Sequence, residues 1–173
     1  GYGTTGIVPN AQFGYSAISQ GTPTAITNAA NAVGEGGIVL IELHRGGPQL
    51  QETCLCNDGQ CNLIAVEYWQ AEFDAISTAT ANGVIVVEAA GNGSANLDDP
   101  IYDGKFDRSV RDSGAILVGA SSSTRHAPMC WTNYGSRVDV HGWGQNVTTL
   151  AYGNLHKKAG DENNQDYWYT YSF

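Results

Sequence analysis

Apolar residues along this chain fall into two alternating kinds of run. Ile38-Val39-Leu40-Ile41, Val84-Ile85-Val86-Val87 and Ala115-Ile116-Leu117-Val118 are short, unbroken and rich in β-branched side chains. That is the pattern of strands buried on both faces in a parallel sheet. Before the first of them, Ala25, Ile26, Ala29, Ala30 and Val33 recur at helical spacing, and between the first two so do Trp69, Phe73, Ile76 and Ala79. Each set is the apolar stripe of one helix. Thr22 caps the first helix with Pro23 at its first position, and Gly34-Glu35-Gly36-Gly37 ends it. The second helix runs from about Val66 to Ala81 and closes at Asn82-Gly83. Strand, helix, strand, helix, strand with short joins predicts right-handed crossovers and an α/β fold with a parallel β-sheet flanked by helices.

The remaining pattern is weaker. Ala11 to Ile18 reads as a strand after the turn at Pro9-Asn10, and Arg137-Val138-Asp139-Val140 as a short alternating one. Residues 49–62 form a polar, turn-rich excursion, and Ser121 to His126 a surface loop. Residues 93–113 are loop-like and carry Asp98, Asp99, Asp103, Asp107 and Asp112. After a polar stretch beyond Tyr152, an aromatic run begins at Tyr167, and a domain does not normally end on such a strand. Gly1-Tyr2-Gly3-Thr4-Thr5-Gly6 fits G-x-G-x-x-G, but no strand precedes it and Ile7-Val8-Pro9 follows, so the motif has no mechanical meaning here.

Composition narrows the partners. A chain of 173 residues buries one sizeable core and predicts one domain or most of one. It is 42% hydrophobic and 14% charged, with no apolar run long enough to cross a bilayer, so no membrane partner is expected. A net charge of −9 argues against nucleic acid, because no Lys/Arg-rich face exists to release counterions. Cys54, Cys56 and Cys61 crowd into one turn and Cys130 lies far downstream. Cys61 can fold back onto Cys54 or Cys56, leaving the other for Cys130; three pairings are open. The second Cys-x2-Cys pair of a structural zinc site is absent, so disulfides in a secreted protein are expected.

Candidate chemistry centres on Asn92, in Glu88-Ala89-Ala90-Gly91-Asn92-Gly93. The segment follows a buried strand, and in open α/β sheets ligands bind beyond the carboxyl ends of strands. The small side chains let another backbone lie close, and the Asn92 amide offers two donors. Asp98, Asp99 and Asp103 are candidate calcium ligands, the one cofactor the sequence suggests; without a D-x-D-x-D-G loop they read first as a solvated acidic loop. Asn146-Val147-Thr148 fits the glycosylation sequon, as does Asn92-Gly93-Ser94. No serine has a G-x-S-x-G setting, and His126, His141 and His156 read as surface or structural residues.

Gly3-Thr4-Thr5-Gly6-Ile7-Val8-Pro9-Asn10-Ala11 resembles the stretch after the catalytic-histidine helix of subtilisin-like serine peptidases. Ala89-Ala90-Gly91-Asn92-Gly93 resembles their oxyanion-asparagine segment. Ile116 to Ala120, Cys130 to Gly135, and Val138-Asp139-Val140 with Gly142-Trp143-Gly144 are similar to the strand, turn and strand that follow. The resemblance implies a subtilisin-like three-layer α/β/α fold, of which residues 1–173 are an incomplete single domain. It implies that the triad aspartate and histidine belong before the segment matching Gly1. The serine belongs in a Gly-Thr-Ser motif after the segment matching Phe173. Asn92 is then the oxyanion donor. Glu42-Leu43-His44 and Glu88-Ala89-Ala90, with Gly91, are the walls of a groove for a peptide or protein substrate.

The usual Ser-Leu-Gly of the first wall is replaced by Glu42-Leu43-His44. This either shifts specificity toward a basic side chain or closes the groove; both residues could equally be exposed strand ends. The competing reading is a non-catalytic peptide- or ligand-binding module on a truncated fold, and a third is a new activity using the acidic loop and a metal. Missing strands would leave edges and apolar faces uncovered, so self-association, or pairing with the remaining peptidase segments, is expected.

Overall fold

The three unbroken apolar runs form one sheet with a fourth, mixed strand, because parallel strands packed against helices bury more apolar surface than any of them could alone. The computed structural model describes residues 6–48, 54, 56–150, 155–157, 159–160 and 168–170. Strands β1 (Ile38–Ile41), β4 (Ile85–Ala89), β5 (Ile116–Ser121) and β6 (Val140–Trp143) lie in the order β1-β4-β5-β6. β1 pairs with β4, and β4 with β5, in parallel. Helix α2 (Gln70–Ala81) is the crossover from β1 to β4, and α1 (Thr22–Val33) precedes β1 and packs in the same layer. β2 (His44–Gly46) and β3 (Leu63–Ala65) make an antiparallel pair at the base of the cysteine-bearing excursion. These elements belong to one compact unit, Tyr15–Ala120 with Pro128–Gly142. A second unit gathers Gly1–Gly14, Ser121–Ala127 and Trp143–Phe173, and in it β7 (Thr149–Leu150) pairs antiparallel with β8 (Tyr169–Thr170).

Local chemistry moves several predicted boundaries. Ala11–Ala17 is not a strand; it ends in a single tight helical turn, Ile18–Gln20, and no ladder partner meets it among the described residues. Thr22 is the first residue of α1 rather than its cap, a place taken by Gly21 at φ 96°. The Val66 end of the second helix is a separate turn, Val66–Tyr68, and α2 itself begins at Gln70. The last strand of the sheet starts at Val140, three residues later than the alternating pattern suggests. Arg137, at the head of that pattern, is buried in an ion pair instead of a ladder.

The core lies on one face of the sheet. Val39, Ile41, Val84 and Val86 pack against Ile26 and Ala30 of α1 and Ala75, Ile76 and Ala79 of α2. Leu117 and Ala90 continue this layer onto Ile64, Leu97, Tyr102 and Phe106. On the alternate positions, Ile38, Leu40, Ile85 and Ile116 are exposed, Leu40 by 65%. The unbroken apolar runs are therefore half-buried, not buried on both faces, and among the described residues both long helices cover the same side. The second helical layer of a three-layer fold is not among them.

One charged group is buried to join this layer. The Arg137 guanidinium, 1% exposed, donates to Glu67 Oε1 at 2.6 Å and Oε2 at 2.8 Å, and to Asp139 Oδ2 at 2.9 Å. It also reaches the Ala115 carbonyl at 3.1 Å, while Asp139 accepts from the Leu117 N–H of β5. Glu88 of β4 accepts from the Glu67 N–H at 2.9 Å, and its other oxygen is buried without a hydrogen-bond partner among the described residues. Burial, and then the Glu67 carboxylate, push the Glu88 carboxyl up to about 8.

Two stability predictions follow from this cluster. Arg137→Met leaves Glu67 buried without its cation and lowers unfolding stability by about 3–5 kcal/mol. Arg108→Ala, which breaks the half-exposed pair to Asp139 and a longer exposed one to Asp112, lowers it by about 1 kcal/mol or less; urea melts separate the two. The folded state holds a proton on Glu88 that the unfolded chain, with its ordinary value of 4.5, releases. The folded state therefore binds more protons between 4.5 and about 8, and this contribution to stability falls as pH rises through that window. The slope is about 1.4 kcal/mol per pH unit for one proton. Glu88→Gln removes the slope, so its stability gains on wild type as pH rises from 5 to 8, read from urea midpoints across roughly that range.

Candidate functional site

The parallel register sets Ile41 of β1 beside Glu88 of β4, so the carboxyl ends of the two strands emerge together. β1 then runs into Glu42-Leu43-His44, and β4 into Ala89-Ala90-Gly91-Asn92. The two exits are joined directly: the Asn92 backbone N–H donates to His44 Nδ1 at 3.3 Å. To accept, His44 must be neutral at Nδ1, and partial burial holds its pKa below the ordinary 6.5. The Asn92 side chain is half-buried, and its Nδ2 donates to Gln60 Oε1 at 3.0 Å. An amide nitrogen carries two hydrogens, so one remains for a further acceptor.

Close backbone approach explains the glycines around Asn92. Gly91 has φ 96°, and a Cβ there would stand 2.7 Å from both the Leu63 carbonyl oxygen and Asn133 Nδ2. At Gly93 a Cβ would lie 2.5 Å from the same carbonyl. The turn is held by Asn133, itself buried. Its Nδ2 donates to the Ala90 and Leu63 carbonyls at 2.7 and 2.8 Å, and its Oδ1 accepts from the Ala95 N–H at 2.9 Å. The Asn133 N–H donates to the Gly91 carbonyl at 3.0 Å, so Asn133 grips the Asn92 turn at two carbonyls and one N–H and ties it to Leu63 of β3.

The predicted site residues separate into three groups. Asn92, His44, Leu43, Ala89, Ala90 and Gly91 lie together at the strand ends, with Leu43 packed against the main core cluster. Glu42 is exposed at the β1 exit. The Glu88 side chain is fully buried and turned toward Glu67, so of this residue only the backbone can line a groove. The calcium candidates do not converge. The Asp98 carboxylate accepts from the Ser136 N–H at 2.9 Å and its hydroxyl at 2.6 Å. Asp99 caps the turn Pro100–Tyr102 through the Ile101 N–H, and Asp103 ends that turn in a left-handed conformation. Among the described residues no group of three His, Cys, Asp or Glu side chains could hold a metal ion.

Two of the side chains that hold this turn come from segments far from it in sequence. Gln60 reaches Asn92 across 32 residues of chain, and no local signal marks it. Asn133 lies in the Cys130–Gly135 turn that carried part of the subtilase resemblance, but nothing in that motif shows which side chain turns inward. The cysteines settle into Cys54–Cys61 and Cys56–Cys130. The short disulfide closes the turn that presents Gln60; the long one ties that turn to the segment bearing Asn133. No helix among the described residues is long and apolar enough to cross a membrane.

Comparison with known proteins bears on this arrangement at the level of fold. No family model matches the sequence, and no curated protein does. A crystal structure of a lanthipeptide protease superposes with a TM-score of 0.53 at 19% identity, covering 88% of this chain and 46% of that one. The nisin leader peptidase NisP from Lactococcus lactis gives a TM-score of 0.49 at 19% identity, covering 87% of this chain and 46% of its own. The chain thus spans less than half the length of either structure. At this identity the likeness to the first is one of fold: a parallel α/β sheet with its helices, in which β1, β4, β5 and β6 take the order described above.

Proposed function

We infer that this chain is the central portion of a secreted, subtilisin-like serine endopeptidase, in which Asn92 donates to the tetrahedral oxyanion. The observation that carries the reading is the Asn92 amide itself. It stands at the carboxyl end of β4 on a turn locked by Asn133 and keeps one Nδ2 hydrogen beyond its bond to Gln60. Preorganised donors of this kind are worth most where water is thin and the donor does not move during reaction. The fold shared with a lanthipeptide protease supports a peptide as substrate, and two disulfides support an oxidising, extracellular setting.

The walls qualify the substrate. Glu42 offers an exposed carboxylate at one exit, which favours a basic substrate side chain. His44 stands where the family has glycine, and its bond to Asn92 narrows the same exit. Hydrolysis also needs a nucleophile and a base. These are supplied by triad-bearing segments outside Gly1–Phe173, and the exposed aliphatic face of Ile38, Leu40, Ile85 and Ile116 is where such segments, or a second copy, would pack.

Three experiments test this. A fluorophosphonate probe leaves the isolated chain unlabelled and labels one serine in a gene product that joins it to triad-bearing segments. In that product Asn92→Ala lowers kcat by about 10²–10³-fold on a fluorogenic peptide. Labelling and cleavage by the isolated chain would place an unrecognised nucleophile inside these residues. An unaffected Asn92→Ala would remove the oxyanion role, and a joined product that neither labels nor cleaves would leave a peptide-binding module. In sedimentation velocity the isolated chain associates, and Leu40→Lys with Ile85→Lys returns it to monomer; a monodisperse wild-type monomer would count against the bare face as an interface.

A further inference from the structure

An oxyanion donor is useful in proportion to how little it must reorganise, and an asparagine amide is poorly held by its own torsions. The last side-chain dihedral of Asn is broad and roughly two-fold, so the amide swings unless its surroundings stop it. Something at this site must therefore hold Asn92, and the two groups that do so lie outside the family's pattern. Gln60 belongs to the excursion, which none of the resembling segments includes. His44 replaces a glycine.

The hold is built in layers. Asn57 accepts from the Gln60 N–H at 3.0 Å through its carbonyl and donates to Gln60 Oε1 at 2.7 Å through its side chain. That fixes the oxygen which receives Asn92 Nδ2. The Cys54–Cys61 disulfide closes the loop around this turn across seven residues, and Cys54 Sγ lies 3.4 Å from the Gly93 carbonyl oxygen. Asn62, the next residue after the loop, donates its N–H to the same carbonyl at 3.4 Å. From the other side His44 Nδ1 takes the Asn92 backbone N–H.

We propose that Gln60 and His44 are positioning residues for Asn92, and that the disulfide-closed loop Cys54–Cys61 is a clamp on the catalytic amide. The two N–H bonds of a planar amide diverge by about 120°, so committing one to Gln60 fixes the direction of the other. His44 does the same for the main chain. It fixes the Asn92 backbone so that the side chain is rooted where Gln60 expects it. The clamp deepens the peptidase reading and rests on it for its purpose, but its geometry can be tested without catalysis.

The test is hydrogen exchange and ¹⁵N spectroscopy of the isotope-labelled chain. In wild type one Asn92 Nδ2 hydrogen exchanges more slowly than the other, and His44 shows the neutral tautomer with its proton on Nε2. Gln60→Leu removes the acceptor at similar volume and speeds Nδ2 exchange at least about tenfold, making the two hydrogens alike. Gln60→Glu keeps an acceptor oxygen and restores the difference. His44→Ala speeds exchange of the Asn92 backbone N–H by a similar factor and leaves amides in α1 unchanged. Cys54→Ser with Cys61→Ser reproduces the Gln60→Leu pattern. Equal, fast exchange of both Nδ2 hydrogens in wild type, or Gln60→Leu with Asn92 still protected, overturns the clamp; the wild-type measurement decides the matter even if a variant does not fold. If the exchange pattern holds while Asn92→Ala leaves hydrolysis intact, the oxyanion reading falls and the clamp stands. The reverse result sinks the clamp alone.

Discussion

The ion pair between Arg137 and Glu67 is the constraint on which this architecture turns. A guanidinium and a carboxylate removed from water lose several kcal/mol of hydration each, and only a bidentate geometry with further hydrogen bonds offsets the loss. Here every neighbour contributes. Asp139 takes the third donor position, the Ala115 carbonyl takes another, and the Ser113 hydroxyl donates to Glu67 at 2.6 Å. The cluster joins the entry to α2, the start of β5 and the approach to β6. Through the Glu67 N–H it also joins the last turn of β4, where Glu88 accepts. The strand that delivers Asn92 is thereby tied to the rest of the sheet through polar groups that tolerate little displacement. The protonated Glu88 belongs to the same arrangement: a second ionised carboxylate beside Glu67 would be costly, and burial keeps it neutral.

From that base the site is assembled by side-chain amides. Asn133 grips the main chain on both sides of Asn92, and Gln60 grips its side chain. Each acts between segments distant in sequence, since Asn133 reaches Leu63 across 70 residues. Amides suit the task because one group both donates and accepts, so a single side chain can satisfy a carbonyl and an N–H in the same turn. The glycines at 91 and 93 make this possible by letting Leu63 approach to a distance that any Cβ would block. The disulfides then hold the excursion against the turn, so the polar loop is part of the site's framework.

The fold was legible where local periodicity and burial coincide. β1, β4, β5, α1 and α2 all fall where runs of β-branched residues and helical apolar stripes put them. The parallel pairing of β1 with β4 follows from α2, which carries the chain back between them. The same logic failed where a pattern had no partner to satisfy. Ala11–Ile18 alternates acceptably but meets no ladder among the described residues, and Arg137-Val138-Asp139 spends its charged ends on the buried cluster. The site was legible in outline. Asn92 and its small neighbours stand at the end of a recognisable strand, and Glu42 and His44 stand at the end of another. In the acidic loop Asp98 accepts from the N–H and hydroxyl of Ser136, 38 residues away, and Asp99 from the Ile101 N–H of its own turn, so the two carboxylates do not converge on one point.

What the sequence determined by itself is the main strands and helices, β1, β4, β5, α1 and α2, and the place of the Asn92 amide at the end of β4, because these depend on short-range periodicity and steric size. What only the tertiary structure decided is which face of the sheet is covered, how the cysteines pair, which way Glu88 turns, and that His44, Gln60 and Asn133 converge on one turn. Those outcomes depend on contacts between residues tens of positions apart. There the closing distance is set by packing, hydrogen bonding and the cost of burying charge, none of which a local pattern records.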